Sequence, residues 1–291
     1  MEERKNHGLN WELEKEQQSE KDWVFGAVSP ICIAENIPSI ERENYLPKGE
    51  IQRAKEDMMD CATRAAINIL ETKFNWLLNN GKIMGKTREF LKENGFIILY
   101  PKSEQIEFSD AFIAIKSGTT RQGNSLKAPL EAIRKNGLIA KMIMPLEEDM
   151  TWDDFHNPDR ITKEAEKIGQ EFLKYFNINY EQVYEKDMDA LLDRDMLDVA
   201  GYAWPEPKNG EYPRVNYQPN HAFMGIRKPM TYIFDNYLDR EIEGDFIKKL
   251  ASDYDFLDYG YRIIISEKKK EKNWWQRIWE AIKNYINELL K

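Results

Sequence analysis

The stretch that decides the fold reads DCATRAAINILE, from Asp60 to Glu71. Apolar residues recur there at every third or fourth position and continue as far as Leu78, which is typical of a helix that buries one face. The run Asn79-Asn80-Gly81 follows and predicts the end of that helix. The pattern therefore predicts a central helix of about five turns that begins at Cys61.

Cys61 is one of only two cysteines in the chain, and its place at a helix start has chemical consequences. A thiol there is near the positive end of the helix dipole, which lowers its pKa toward the nucleophilic thiolate. Far downstream, His221 lies in the run NHAF at 220–223, and a strand-like run YIFDNY follows at 232–237. Because an adjacent imidazole completes the activation of a thiol, this order suggests a cysteine nucleophile.

Composition excludes several classes of function. The chain has 291 residues, of which 42% are hydrophobic and 32% are charged, as expected for a globular protein of one large domain or two lobes. Its formal charge of −9 argues against broad nucleic-acid binding. Two cysteines allow at most one disulfide, which favours a reducing compartment. Neither a signal peptide nor a spanning segment is visible, so we expect a cytoplasmic or virion-associated protein.

The order of predicted elements indicates the fold class. Helices are predicted over 86–93, 126–135, 160–176 and 187–199, and strands over 96–101, 222–227, 231–237 and 261–265. Helices first and strands later predict an α+β protein with two lobes. We divide the chain into a polar arm that is mobile or a solvated helix (1–22), an N-terminal strand and loop (23–50), a helical lobe (51–150), a strand-rich lobe (151–266), and a charged linker with an amphipathic helix (267–291).

Three separated patches resemble the papain-type cysteine peptidases in order and approximate spacing. They are Cys61 at its helix start, the segment 108–138 with FSDAF, QGNS and AIRKNGL, and the triplet NHA at 220–222. The run GYRI at 260–263 is similar to the strand that ends the family's domain. Divergent members from phages and uncultivated bacteria are similar in the run FDNY at 234–237 and in having few disulfides.

This resemblance implies a two-lobed papain-like fold and hydrolysis of peptide bonds through a thioester on Cys61. His221 is implied as general base and then general acid. Asp235 stands where the family has an asparagine and is implied to orient the imidazole, with Asn236 as the less favoured choice. Gln52 and the backbone N–H of Cys61 are implied to bind the oxyanion. The residues implied to bind a peptide or protein substrate are Gly123, Asn124 and Asn220, and neither a cofactor nor a metal is implied.

The nucleophile region departs from the family pattern. MMDCA at 58–62 replaces a Gly-rich turn with Cys-Trp, and Gln52 reaches the site only if the loop before Cys61 is longer than in the family. We interpret Asp60 as an N-cap that accepts a backbone N–H. Cys32 lies in an apolar run and is expected in the core. His156 is expected at the surface, in an acidic stretch that we interpret as solvated and not as a metal site.

Other functions stay open. The same three residues serve transglutaminase-like and amidase enzymes, and an inactive papain-like protein could act by binding alone. A third alternative places the function at residues 273–291, whose tryptophans suit a membrane surface or a protein partner. Residues 267–291 hold seven basic residues against four glutamates, a local charge of +3. The first 50 residues are a candidate inhibitory segment.

Overall fold

The structure is a computed structural model, and the part of the chain that it describes comes in nine ranges. These are residues 8–17, 37–48, 51–101, 103–203, 207–213, 218–227, 232–237, 246–254 and 258–267. The N-terminal strand with Cys32, the charged run after Glu267 and the C-terminal amphipathic helix lie outside the described residues.

The long helix after Asp60 is the centre of the fold. The described α-helices are α1 (Trp11–Gln17), α2 (Cys61–Asn79), α3 (Gly85–Glu93), α4 (Asp110–Ser117), α5 (Lys127–Asn136), α6 (Trp152–Phe155), α7 (Lys163–Tyr175) and α8 (Glu185–Leu192). The predicted start and end of α2 are confirmed. The helices predicted over 86–93 and 126–135 are confirmed as α3 and α5.

Strands dominate the second half. The described strands are β1 (Ile97–Tyr100), β2 (Ser103–Ile106), β3 (Phe176–Tyr184), β4 (Leu197–Gly201), β5 (His221–Arg227), β6 (Tyr232–Phe234), β7 (Ile247–Lys249) and β8 (Tyr259–Glu267). The first two form a hairpin, and the other six form an antiparallel sheet in the order β3-β8-β4-β5-β6-β7. Helices followed by an antiparallel sheet confirm the predicted α+β class. Because β5 pairs with β6, the start of β5 lies next to the residues that follow β6.

Helix α2 is buried on all sides, and not on one face as its apolar spacing predicted. Only Trp76 and Asn79 of its residues are not buried. Buried polar side chains on this helix therefore need partners from other elements. The ammonium of Lys73 lies 2.7 Å from the carboxylate of Asp195, and this contact ties α2 to the end of α8.

Four of the described strands, β2, β3, β4 and β7, were not predicted, and one predicted helix is wrong beyond Leu192. Strand β4 falls within the range 187–199 that was predicted as a single helix. Its residues are all buried between β5 and β8, and a short apolar run gives no periodicity that separates a buried strand from a buried helix. Strand β3 begins at Phe176, directly where α7 ends.

The described part of the N-terminal arm, residues 8–17, is packed against the protein, which differs from the predicted mobile arm or solvated helix. Leu9 and Glu14 are 2% and 1% exposed. The carboxylate of Glu14 accepts a hydrogen bond of 2.6 Å from the backbone N–H of Leu126 and another from the hydroxyl of Tyr259. Residues 8–15 are therefore part of the folded body.

Candidate active site

Cys61 is the first residue of α2 and is buried, with 1% of its surface exposed. Its sulfur accepts a hydrogen bond of 3.3 Å from the backbone N–H of Ala222, the second residue of β5. Burial raises the pKa of the Cys61 thiol well above its usual value, and nearby carboxylates including Asp60 raise it further. This direction is opposite to the one predicted from the helix dipole, because desolvation of the thiolate outweighs the dipole.

Asp60 is at the N-cap position of α2, but its side chain does not accept a backbone N–H of the helix, so the predicted side-chain cap is wrong. Its carboxylate instead lies 3.0 Å from Nε of Arg64, one turn further along α2. Arg64 also approaches Asp110 of α4 at 3.1 Å, so two carboxylates share one guanidinium at the start of α2.

His221 and Asp235 lie side by side, His221 at the start of β5 and Asp235 directly after β6. Nε2 of His221 is 2.6 Å from Oδ1 of Asp235, and the two side chains are 0% and 1% exposed. Although burial alone would raise it, the pKa of Asp235 is held well below its usual value by the charges of Lys248 and His221. The ammonium of Lys248 is 2.7 Å from Oδ2 of the same carboxylate. The ring of Tyr237 covers His221 edge-on, with centroids 5.1 Å apart.

Asn236, the less favoured choice for orienting the imidazole, faces α2. Its side-chain oxygen accepts a hydrogen bond of 2.7 Å from the amide of Asn68. The neighbouring Asp235 has the contact with the imidazole. The two adjacent polar residues that follow β6 thus have different partners.

Gln52 is brought beside the site by a loop that folds back on itself. The backbone N–H of Met58 donates to the carbonyl of Gln52 at 3.3 Å, so the residues between them form a closed turn. Nε2 of Gln52 donates to Oδ1 of Asp57 at 2.9 Å and to the hydroxyl of Tyr237 at 3.0 Å. Since a carboxylate only accepts, the amide nitrogen must face Asp57. In this arrangement the Gln52 amide is held by Asp57 and Tyr237.

Met59, two residues before the nucleophile, has the left-handed backbone conformation with φ of +55°. This conformation is costly for a residue with a side chain and often marks a functional turn. The buried side chain of His156 contacts this turn, with its Nε2 2.8 Å from the carbonyl oxygen of Met58. His156 is 8% exposed and burial lowers its pKa to about 4, so the prediction of a surface histidine is wrong.

The N-terminal segment 8–10 lies on the residues that were predicted to bind substrate. The backbone N–H of Asn124 donates to the carbonyl of Gly8 at 2.9 Å, and the N–H of Asn10 donates back to the carbonyl of Asn124 at 2.8 Å. From the other side, Leu9 donates to the carbonyl of Asn220 at 3.3 Å. The segment is therefore held between the two halves of the protein by backbone bonds.

Two glycines permit this close approach. Gly8 has φ of +104°, and a Cβ at its position would lie 2.8 Å from the Met59 backbone and 3.0 Å from the sulfur of Cys61. Gly123 has φ of +89°, and a Cβ there would lie 1.9 Å from the carbonyl oxygen of Gly8. Side chains at either position would displace the segment from the nucleophile.

The described residues contain no group of three or more His, Cys, Asp or Glu side chains placed to hold a metal ion. Among the same residues, no helix is both long and apolar enough to cross a membrane.

The fold resembles solved cysteine proteases. Xylellain, a cysteine protease from Xylella fastidiosa, matches with a TM-score of 0.51 at 12% identity, over 92% of this chain and 99% of that one. The protein has the papain-like fold. Procathepsin L 3 from the larval midgut of Tenebrio molitor matches with a TM-score of 0.47 at 11% identity, over 89% and 76% of the two chains. No family model and no curated protein matches the sequence.

Within the papain-like fold, the structure brings Cys61, His221, Asp235 and Gln52 into one region. Sequence reasoning missed Lys248, which binds the second carboxylate oxygen of Asp235, and Tyr237 and Asp57, which both accept from the amide nitrogen of Gln52. The available signal for Lys248 is the alternation of β7. Lys248 and Lys249 are adjacent in the strand and point to opposite faces of the sheet, so one of the two lysines must face inward. That signal is weak because β7 has only three residues.

Proposed function

We propose that the protein is a cysteine peptidase that its own N-terminal segment keeps inhibited. One observation supports this most: the start of α2, the start of β5 and the residue after β6 lie next to one another. Ala222 bonds to the sulfur of Cys61, and the preceding residue, His221, bonds to Asp235. A thiol, an imidazole and a carboxylate in this order are the parts needed for nucleophilic catalysis by cysteine.

The proposed reaction begins with transfer of the thiol proton of Cys61 to His221. Since Nε2 of His221 faces Asp235, this proton is received at Nδ1. The sulfur then bonds to the carbonyl carbon of the substrate, and the imidazolium returns the proton to the amine nitrogen as the C–N bond breaks. Water, deprotonated by His221, attacks the thioester and releases the acid, with the proton passing back to the thiol.

The oxyanion is proposed to face the backbone N–H of Cys61 and the amide of Gln52. N–H groups in the first turn of a helix have no acceptor within the helix, which suits the first of these donors. The second donor must turn from Asp57 or Tyr237 toward the substrate. We therefore propose that Gln52 changes partner when substrate binds.

Inhibition is proposed to arise from residues 8–10, which bond through their backbone to Asn124 and Asn220 as an extended peptide would. The segment covers Cys61 and removes water from it, and this burial raises the pKa of the thiol. An enzyme in this arrangement has neither access for substrate nor a thiolate. Release of the segment would provide both.

The test is intact mass after brief treatment of the full chain with an epoxysuccinyl thiol label. Gly8→Val should label about tenfold faster than the native chain or more, because a side chain at this position cannot lie against Met59 and Cys61. Cys61→Ala and His221→Ala, each combined with Gly8→Val, should abolish the fast adduct. Glu12→Ala, an exposed change on α1, is the matched control and should label like the native chain.

Two results would contradict the proposal. Fast labelling that persists without His221 would mean that no activated pair exists. Slow labelling of Gly8→Val, with a native melting temperature, would mean that displacement of the segment does not activate Cys61. The second result would favour the papain-like protein that has lost turnover.

A further inference from the structure

Lys248 is buried in a short strand, which is an unusual place for a lysine. It is the middle residue of β7, the last strand in the order of the described sheet, which pairs with β6 on one side and bonds to the backbone of Tyr212 on the other. The residue is only 4% exposed. Lysine is rarely buried to this extent unless its charge is paired, so its partner explains its position.

That partner is Asp235. Nζ of Lys248 lies 2.7 Å from Oδ2, and Oδ1 of the same carboxylate lies 2.6 Å from Nε2 of His221. Nζ also donates to the backbone carbonyl of Tyr237, which fixes the ammonium to the turn after β6. One carboxylate thus joins the imidazole and the ammonium, each on its own oxygen.

The charges of this group explain why an aspartate can stand where papain-type peptidases have a neutral asparagine. An isolated buried carboxylate beside His221 would add a full negative charge and would resist burial. The ammonium of Lys248 cancels that charge, so that Asp235 and Lys248 together are neutral, as an asparagine is. We infer that Lys248 is a positioning residue that makes the Asp235–Lys248 pair act on His221 as a neutral, oriented acceptor.

This inference rests on the proposed role of His221 but makes a separate prediction about its titration. Among the described residues, the other titratable groups near the imidazole and Asp235 are Cys61 from α2, Tyr237 after β6, Asp57 through Tyr237, and Tyr254, which interacts with Asp235. These groups stay unchanged when only Asp235 and Lys248 are varied. The net charge of the pair is then zero in the native chain, negative in Lys248→Met, positive in Asp235→Asn and zero in the double variant.

The experiment measures the titration midpoint of His221 by nitrogen NMR, for which a chain with only three histidines is suitable. A negative neighbour stabilises the imidazolium and a positive one destabilises it. We expect the midpoint to be highest in Lys248→Met, lowest in Asp235→Asn, and close to the native value in the double variant. Lys249→Met, which changes an exposed lysine paired with Glu211, is the control and should leave the midpoint unchanged.

The rate of Cys61 labelling, measured in the Gly8→Val background, gives a second readout. Each single variant should be slower by about tenfold or more, and the double variant should be faster than either single variant, since no buried charge is left unpaired. A double variant whose loss is the product of the two single losses would overturn the inference, as would an unchanged midpoint in Lys248→Met.

The outcomes separate this inference from the proposed function and from a structural role. If the Gly8→Val chain itself does not label, the proposed function fails, and the His221 midpoints alone decide about Lys248. If Lys248 only prevented strand pairing at the edge of the sheet, its substitution would lower stability but would not place the His221 midpoints in the expected order. If a single variant does not fold, the double variant decides: recovered folding supports the pair, and stability below both single variants contradicts it.

Discussion

At the residue scale, Asp198 is a buried carboxylate without a hydrogen-bond partner among the described residues. It lies in β4 at 0% exposure, and neither of its oxygens is bonded. Its pKa is raised well above the usual value, first by burial and then by the nearby Glu14 of α1. The folded protein therefore keeps a proton that the unfolded chain releases, and this favours the folded state only at low pH.

We expect Asp198→Asn to stabilise the protein more at pH 8 than at pH 5. Stability due to Asp198 falls as the pH rises above the ordinary carboxyl pKa, because the unfolded chain loses its proton first. The neutral amide removes this loss, which grows by about 1.4 kcal/mol for each pH unit above the ordinary carboxyl pKa until the pH reaches the raised pKa of the folded protein. Denaturant unfolding at the two pH values measures it. An equal gain at both would show that Asp198 does not titrate on unfolding.

At the element scale, the loop from Ile51 to Asp60 sets the position of Gln52. The backbone N–H of Gln52 donates to the carbonyl of Asn236 at 3.0 Å, so the loop is bonded to the turn that follows β6. The side chain is 0% exposed and points at Tyr237, which itself lies against His221. The loop therefore holds the Gln52 amide next to Tyr237 and, through that ring, next to the region of His221.

For this loop we predict that Gln52→Ala, in the Gly8→Val background, lowers kcat by about 10²–10³-fold, the usual effect of removing one oxyanion donor. Formation of the covalent adduct at Cys61 should continue, because the backbone N–H of Cys61 stays in place. The two effects are separated by measuring kcat from steady-state hydrolysis of a peptide substrate and, on the same variant, the rate of Cys61 labelling. An unchanged kcat would assign Gln52 a purely structural role with Asp57.

Elements differ in how far the sequence predicts them. Helix α2 was predictable because its apolar spacing and its stop at Asn80-Gly81 are local signals. Strands β3 and β4 were not, since their pairing partners in β8 and β5 are distant in sequence and every residue of β4 is buried. For the candidate site, order along the chain led to the prediction of Cys61 and His221, and the structure places the start of β5 at the sulfur of Cys61. The contacts of Lys248 and Asp57 depend on register and loop closure, which no local pattern specifies.

At the scale of the whole molecule, two described segments before α2 have different contacts. Residues 8–10 bond through their backbone to Asn124 and Asn220 beside Cys61, and residues 37–48 are fixed through Arg42. Arg42 is 0% exposed and donates to the carbonyl of Ile37 at 2.9 Å. Its guanidinium also bonds the carbonyls of Leu192 and Ile226, both at 2.7 Å, and so joins α8 to β5. The candidate inhibitory segment is therefore shorter than the first 50 residues.

Two shortened chains test this division. A chain that starts at Ile37 keeps Arg42 but loses the segment over Cys61 and the buried contacts of Leu9 and Glu14, so we expect a loss of stability together with labelling as fast as that of Gly8→Val. A chain that starts at Tyr45 also loses Arg42 and leaves two buried carbonyls without their donor, which should cost about 2–5 kcal/mol. Denaturant unfolding and labelling are measured on both chains. Equal stability would show that Arg42 is not needed to join α8 and β5, and slow labelling of the longer chain would show that residues before Ile37 do not inhibit Cys61.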